Sequence, residues 1–394
     1  MNIDATDNSL QKARNLKEQL VNWRREFHSF PELGFKETRT SARIADIMIN
    51  MGYQVRRGVG RTGVIAEKGA GSPVVAIRAD MDALPILEAN DTPYVSQNPG
   101  VMHACGHDAH MTIALGTARL FAETLFPGTL RFLFQPSEEV GDDEGISGAP
   151  RMISDGAMES VQTVLALHVD SSYPAGEITL KSGVASAGVD TFYGSVIGKG
   201  GHGAKPHEVV DPIYLSGLVI LALHGIVSRS LHPFDPAVVS IGTIHGGQID
   251  NVIPDQVELT GTLRFMESDV QHIIHAGVEH AFSIARNLGG DYRLRFEIGY
   301  PPMFNHPTVV ETIRNVASPL LGAEHIHTPK MEMGAEDFGF MTALAPGAMF
   351  TLGCARSGEE RKLHSPIFDI DEECLPVGVA VMTQAALAYL TSSV

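Results

Sequence analysis

The sequence predicts an α/β protein with a second, smaller unit set into the middle of the chain. Three observations carry that expectation. Four short apolar runs, Val74–Ile77, Thr129–Phe134, Val164–Leu167 and Ala348–Leu352, stop at polar residues or turns, as buried strands of a largely parallel sheet do. Between residues 108 and 125, Ile113, Ala114, Leu120, Phe121 and Leu125 recur with helical spacing. From about 186 to 300 the pattern changes to β-α-β-β-α-β, the order of a ferredoxin-like unit.

Each element follows from its local pattern. Leu16, Leu20 and Trp23 fall near one face of an opening helix, and Ile44, Ile47, Met48 and Met51 mark a second that stops at Gly52. The first three apolar runs end in Arg78-Ala79-Asp80, in Gln135-Pro136-Ser137-Glu138-Glu139 and in His168. In the middle, Val189–Ile197, Ala237–Ile244 and Val257–Phe265 alternate with period two, as do Tyr292, Leu294, Phe296 and Ile298. Ile213–Leu231 and Ser268–Leu288 are expected helices, the latter capped by Ser268 or Asp269. Ser182-Gly183, Ala187-Gly188 and Gly299-Tyr300-Pro301-Pro302 punctuate the ends of this unit. Residues 1–185 and 301–394 are therefore the expected parts of one α/β domain, interrupted by 186–300.

Composition narrows the function. At 394 residues the chain exceeds what one core usually sustains. A net charge of −17 without a long Lys/Arg run argues against nucleic acid and anionic lipid as partners. No unbroken run of 18 apolar residues occurs, so no membrane span is expected. Met1–Gln11 is polar, without a basic-then-apolar leader, and three cysteines (Cys105, Cys354 and Cys374) cannot build a disulfide framework. A cytoplasmic location is the expectation.

The strongest chemical signal is Met102-His103-Ala104-Cys105-Gly106-His107-Asp108-Ala109-His110, which packs a thiol, three imidazoles and a carboxylate into nine positions. Thiolate and imidazole suit a first-row transition metal. A helix would separate Cys105 from His107 by about 200°, so they can share a centre only from an irregular segment. Taken alone, the segment could equally be a polar loop whose Asp108 caps a helix. Glu138-Glu139 is the second signal: adjacent carboxylates at a strand end repel unless a cation or proton separates them. His168 and His364, the latter in Leu363-His364-Ser365-Pro366, are weak alone, as are Asp80 and Asp82. Together they place acidic and ligating groups at several strand ends or adjoining loops, where open α/β sheets gather their ligands. A metal site is the better account. A thiol hydrolase with Cys105 as nucleophile and His107 as base is the rival within enzymes. Gly198-Lys199-Gly200-Gly201-His202-Gly203 satisfies the dinucleotide-binding spacing, but Lys205-Pro206-His207 delays the helix and no acidic strand end follows about 20 residues on.

The residues now in view resemble a known family. Arg78–Pro85, Met102–Asp108, Phe134–Glu139, Gly200–Gly203, Asn251–Pro254, Gly261–Arg264, Glu336–Phe338 and Leu363–Pro366 look like the motifs of M20 metallopeptidases, in order along the chain. More narrowly they resemble its amidohydrolase branch: hippurate hydrolases, N-acyl-amino-acid amidohydrolases and auxin-conjugate hydrolases. Ser137 stands where the family usually has Ala. The resemblance implies a zinc-peptidase-like catalytic domain with a ferredoxin-like lid. It implies two divalent ions (Zn, Mn, Co or Ni) held by Cys105, His107, Glu139, His168 and His364, with Cys105 in the bridging place. Glu138 matches the general base and Asp82 an orienting carboxylate. His202, Asn251 and Arg264 match lid groups that bind the substrate carboxylate or the reacting carbonyl. The implied activity is amide cleavage of small N-acyl amino acids, or carboxypeptidase or dipeptidase action on small peptides, by a homo-oligomer (dimer or tetramer).

Overall fold

The computed structural model describes residues 9–358 and 360–391, so the first eight residues of the polar opening lie outside the described residues. Two compact units are present: 1–185 with 304–330 and 337–394, and 186–303 with 331–336.

The first unit is built on an eight-stranded sheet. Its order is Gln54–Val59, Gly63–Ala70, Gly128–Gln135, Val74–Asp80, Thr163–Pro174, Gly347–Ala355, Ile178–Thr179 and Ile326–His327. Val74–Asp80 runs parallel to both neighbours, and Gly347–Ala355 parallel to Thr163–Pro174. The margins bring antiparallel pairs, at Gly63–Ala70 and at Ile178–Thr179. Val74–Asp80 is buried along its whole length, which is why it is an unbroken apolar run rather than an alternating one. The helices Lys17–Ser29, His107–Ala122, Pro307–Leu321 and Cys374–Thr391 pack with the sheet into one core. The strand Thr163–Pro174, which carries the third apolar run, does not end at His168 as that run implies. Pairing continues past it, with His168 opposite Thr351 and Asp170 opposite Gly353, so the imidazole leaves from mid-strand.

The second unit is a four-stranded antiparallel sheet in the order Ala237–Gly246, Gln256–Phe265, Gly188–Ile197, Asp291–Ile298, the ferredoxin-like arrangement. Leu215, Val219 and Leu223 of Pro212–Ser230 and Val270, Ile274, Val278 and Phe282 of Ser268–Asn287 share a core with Phe192, Val196, Leu259 and Leu263. Ser268 and Asp269 do not cap their helix. The cap position is Glu267, which makes no side-chain capping bond, and both residues lie inside the first turn.

Two helices, Pro212–Ser230 and Cys374–Thr391, reach the length and hydropathy of a membrane span by length and composition alone. Cys374–Thr391 is a core helix. Pro212–Ser230 buries its 215–219–223–226 stripe and leaves Ile213, Tyr214 and Leu221 exposed.

A buried ionic cluster ties the chain's distant parts together beneath the Cys105 segment. Arg24, fully buried, donates from Nε to Asp108 Oδ2 (2.8 Å) and from Nη2 to Asp369 Oδ1 (2.8 Å), and His28 Nδ1 lies 2.7 Å from Asp108. Asp108 is therefore an ion-pair partner rather than a helix cap. Burial opposes its charge, but Arg24 and His28 hold it well below the usual carboxylate range. A carboxylate with a lowered folded pKa stabilises above its unfolded pKa, and that contribution fades as pH falls towards the folded value. Asp108→Asn should therefore lose about 3 kcal/mol at pH 7, the low end for breaking a buried pair. The deficit should shrink in acid, as urea titrations at pH 7 and pH 3 would measure.

Candidate metal centre

The parallel register sets the site. Asp80 pairs with Gln135, and Arg78 pairs with both Leu133 and Ala166, which brings Asp82, the Glu138–Glu139 turn and His168 to one end of the sheet. The Cys105–His107 segment crosses that end. Gly106 between them has φ +87°, and a Cβ there would meet Val169 Cγ2 at 2.2 Å, so only glycine fits. This left-handed residue directly precedes helix His107–Ala122 and supplies the irregularity that two ligands two apart require. His364, itself at φ +61°, is tied to the same segment by its N–H, which donates to the Ala104 carbonyl (2.7 Å).

The side chains converge on sulfur. Cys105 Sγ lies 3.4 Å from His168 Nε2 and 3.3 Å from His364 Nε2, and His364 Nε2 lies 3.2 Å from Glu139 Oε1. The donor atoms of Cys105, His107 and His168 fall within 4.8 Å of one another, and so do those of Cys105, Glu139 and His364. Two triads thus share one thiol. Glu138 groups with His107 and Glu139 in the same way. The far nitrogens are anchored: His107 Nδ1 is 2.8 Å from the Asp82 carbonyl and His168 Nδ1 is 2.8 Å from the Val169 carbonyl. That fixes the tautomers and turns both Nε2 atoms inward, as metal-binding histidines are commonly oriented. His107 Nε2 is buried and makes no hydrogen bond among the described residues, and the buried Glu139 Oε1 faces only the His364 imidazole. Sulfur, imidazole and carboxylate donors, preoriented and short of partners, fit a pair of transition-metal ions.

Electrostatics agree with a site built for cations. Burial pushes the Cys105 thiol well up, so a thiolate there requires a cation beside it. His107 is raised despite burial because Asp80 stands beside it, and Glu139 is lowered despite burial, chiefly by its hydrogen bond from His364.

Several supporting groups carried no assigned role in the sequence. His110 sits one turn after His107; its Nδ1 is 2.6 Å from Asp80 Oδ1, and its Nε2 accepts the Val169 N–H (2.9 Å). That pins the backbone beside His168. Asp337 accepts from Arg78 Nη2 (2.9 Å), Gln135 Nε2 (2.9 Å) and Ser147 Oγ (2.7 Å), locking two strand ends together. The spacing of His107 and His110 was a usable signal; the reach of Asp337 across some 200 residues was not.

His202, Asn251 and Arg264 all lie in the second unit. His202 pairs with Val252 in a two-residue ladder, and the Gly203 N–H donates to the Asn251 carbonyl (2.8 Å). Arg264, half-buried on Gln256–Phe265 opposite Val189 and Val238, makes no ion pair among the described residues. The glycine run 198–203 does not open a helix; the next long helix starts at Pro212, capped by Asp211. A phosphate-binding helix terminus is not formed there.

The family model for peptidase family M20/M25/M40 matches residues 76–388. The chain belongs to the M20 family. Among its M20 relatives, thermostable carboxypeptidase 1 of Saccharolobus solfataricus is 36% identical, aligned over 98% of this chain and 99% of its own. N-acetyl-L-cysteine deacetylase of Bacillus subtilis is 34% identical over 96% and 90%. The solved structure of the Bacillus subtilis YXEP protein, titled a dinuclear metal binding peptidase from the M20 family, superposes with a TM-score of 0.83 at 32% identity, covering 96% of this chain and 100% of that one. This M20 chain is accordingly a hydrolase. If Cys105 is the shared donor, Cys105→Ser should cut bound metal, by elemental analysis, from about two ions per chain to one or fewer, since hydroxyl is a poor ligand for these ions. A nucleophile variant would instead keep its metal and lose only turnover.

Proposed function

We propose that this enzyme hydrolyses the amide bond of N-acyl amino acids, such as N-acetyl or N-benzoyl derivatives, to a carboxylic acid and a free amino acid. The observation that carries the reading is the pair of donor triads sharing Cys105, with the Glu138 carboxylate beside them. Cys105, His107, Glu139, His168 and His364 would hold two divalent ions. Ions there would polarise the scissile carbonyl and lower the pKa of a bound water towards neutrality. Glu138, set apart from the ligand set by its neighbour Glu139, would take the water's proton and deliver it to the leaving nitrogen. Asp82 holds the Glu138–Glu139 backbone while this happens. His202 would hydrogen-bond the developing oxyanion, with Asn251 beside it. Arg264 would pair its planar fork with the substrate's free carboxylate.

The carboxypeptidase relative supports a second reading, cleavage of small peptides at a C-terminal residue. Both readings use the same groups and differ in what lies on the acyl side. Steady-state rates of the metal-loaded enzyme on N-acetyl, N-benzoyl and dipeptide substrates separate them. The exposed outer residues of Pro212–Ser230 and the edge strand Ala237–Gly246 support a homo-oligomer, which light scattering would size.

Glu138→Gln should keep its metal and lose on the order of 10²–10⁴-fold in kcat, the range of a general base. Near-wild-type turnover in a metal-replete variant would remove Glu138 from that role. Arg264→Ala should cost roughly 1.5–3 kcal/mol in kcat/KM on free-acid substrates, the scale of a charged hydrogen bond, and little on the corresponding esters. Equal losses on both would exclude carboxylate recognition by Arg264.

A further inference from the structure

Three consecutive backbone N–H groups lead into the catalytic turn, and carboxylates capture all three. Asp82 takes two, from Glu138 to Oδ1 (3.0 Å) and from Glu139 to Oδ2 (3.0 Å). The third, from Ser137, goes to Glu37 Oε1 (2.8 Å). Glu37 is fully buried and comes from far upstream, at the residue before helix Thr38–Asn50. Its side chain makes no capping bond to that helix. Glu32 does, accepting the N–H groups of Arg39 (3.1 Å) and Thr40 (2.8 Å). The Glu37 side chain is thus free to turn inward, where Thr62 Oγ1 donates to its second oxygen (2.5 Å).

What Glu37 holds is strained. Ser137 is a non-glycine residue at φ +45°, a conformation that L-residues leave unless the surroundings over-determine it. Those surroundings are visible. Ser137 Oγ donates to the Val140 carbonyl (2.8 Å), the Ser137 carbonyl accepts from Gly148 N–H (2.8 Å), and Gly34 presses so close that a Cβ there would lie 2.3 Å from Ser137 Oγ. The Glu37 bond closes the last open side. Because Ser137 directly precedes Glu138, a rotation at Ser137 swings both acidic side chains.

We propose that Glu37 is a positioning residue of the hydrolytic reaction, which holds Ser137 in its left-handed conformation and thereby aims Glu138 and Glu139. The proposal rests on the reading of Glu138 as general base. Glu37 acts through hydrogen-bond acceptance rather than through charge. A glutamine can reproduce both contacts, its oxygen accepting from Ser137 and its amide donating to the Thr62 hydroxyl, whereas alanine or the shorter aspartate cannot.

The test compares Glu37→Gln, Glu37→Ala and Glu37→Asp with Glu138→Gln on the metal-loaded full chain. Glu37→Gln should keep kcat within about fivefold of wild type. Glu37→Ala should lose about 10²-fold in kcat, the usual consequence of an ångström-scale misplacement, with KM within about twofold and, because four of the five ligands stay in place, bound metal reduced by no more than about half. Hydrogen exchange of peptides covering 130–141 should speed up in Glu37→Ala and not in Glu37→Gln. Should the alanine variant not fold, Glu37→Asp carries the same expectations. Adding Ser137→Gly, which adopts positive φ without strain, should return at least about tenfold of the lost kcat. The proposal fails if the alanine or aspartate variant turns over normally. It also fails if glutamine is as damaging as alanine, or if metal and KM are lost in step with kcat. An inactive Glu138→Gln beside an unaffected Glu37→Ala overturns this inference alone; an active Glu138→Gln overturns the reading beneath it.

Discussion

The arrangement of the site depends on one residue, Asp82, two positions past the end of the parallel strand Val74–Asp80. Its two carboxylate oxygens accept the N–H groups of Glu138 and Glu139, and its backbone carbonyl holds His107 Nδ1 (2.8 Å). One side chain and one peptide group therefore fix the direction of an imidazole and of two carboxylates. Without them, a pair of adjacent acidic residues beside buried His107 and Cys105 would repel and turn to solvent. The sheet supplies the fixed frame: Val74–Asp80 is buried throughout and bonded on both sides, and Asp82 follows directly on it.

Around this anchor several buried charges are held in pairs. Arg24 is shared between Asp108 and Asp369, Arg78 between Asp80 and Asp337, and Asp80 also faces His110. Each group links segments far apart in sequence: the N-terminal helix, the Cys105 segment, the strand ends and the final helix region. A buried pair is a poor source of net stability, because desolvation offsets attraction. Its value here is directional. A hydrophobic contact tolerates sliding, whereas an arginine fork held by two carboxylates favours one arrangement of the segments that carry the two Cys105 triads.

Much of this was legible in the sequence for a definite reason. The apolar runs at 74, 129, 164 and 348 announce buried parallel strands, and the polar residues that follow them announce the site, because chain periodicity and strand ends are local properties. The ferredoxin-like order of the second unit was legible in the same way. What escaped were features set by distance. Nothing near Glu37 or Asp337 in sequence says which backbone amides they will meet. The strand through His168 runs on because Gly347–Ala355 pairs with it, a partner some 180 residues away. The hydropathy of Pro212–Ser230 escaped for another reason: Ser216, Gly217, His224 and Gly225 interrupt its apolar run without making it polar.

Backbone strain is present where the chemistry is proposed. Of the five described non-glycine residues at positive φ, Ser137 and His364 lie at the site, and Gly106 adopts positive φ between Cys105 and His107. Each sits beside a donor, and each is pinned: Ser137 by Glu37, Val140 and Gly148, His364 through Ala104, Gly106 by the Val169 side chain. Regular helix or strand would send neighbouring side chains apart, so ligands close in sequence can meet only where the backbone leaves the regular wells. The strain is the geometric condition for His107, Glu139, His168 and His364, from four separate segments, to gather around the one sulfur of Cys105. The buried carboxylates around it are what keep that condition satisfied.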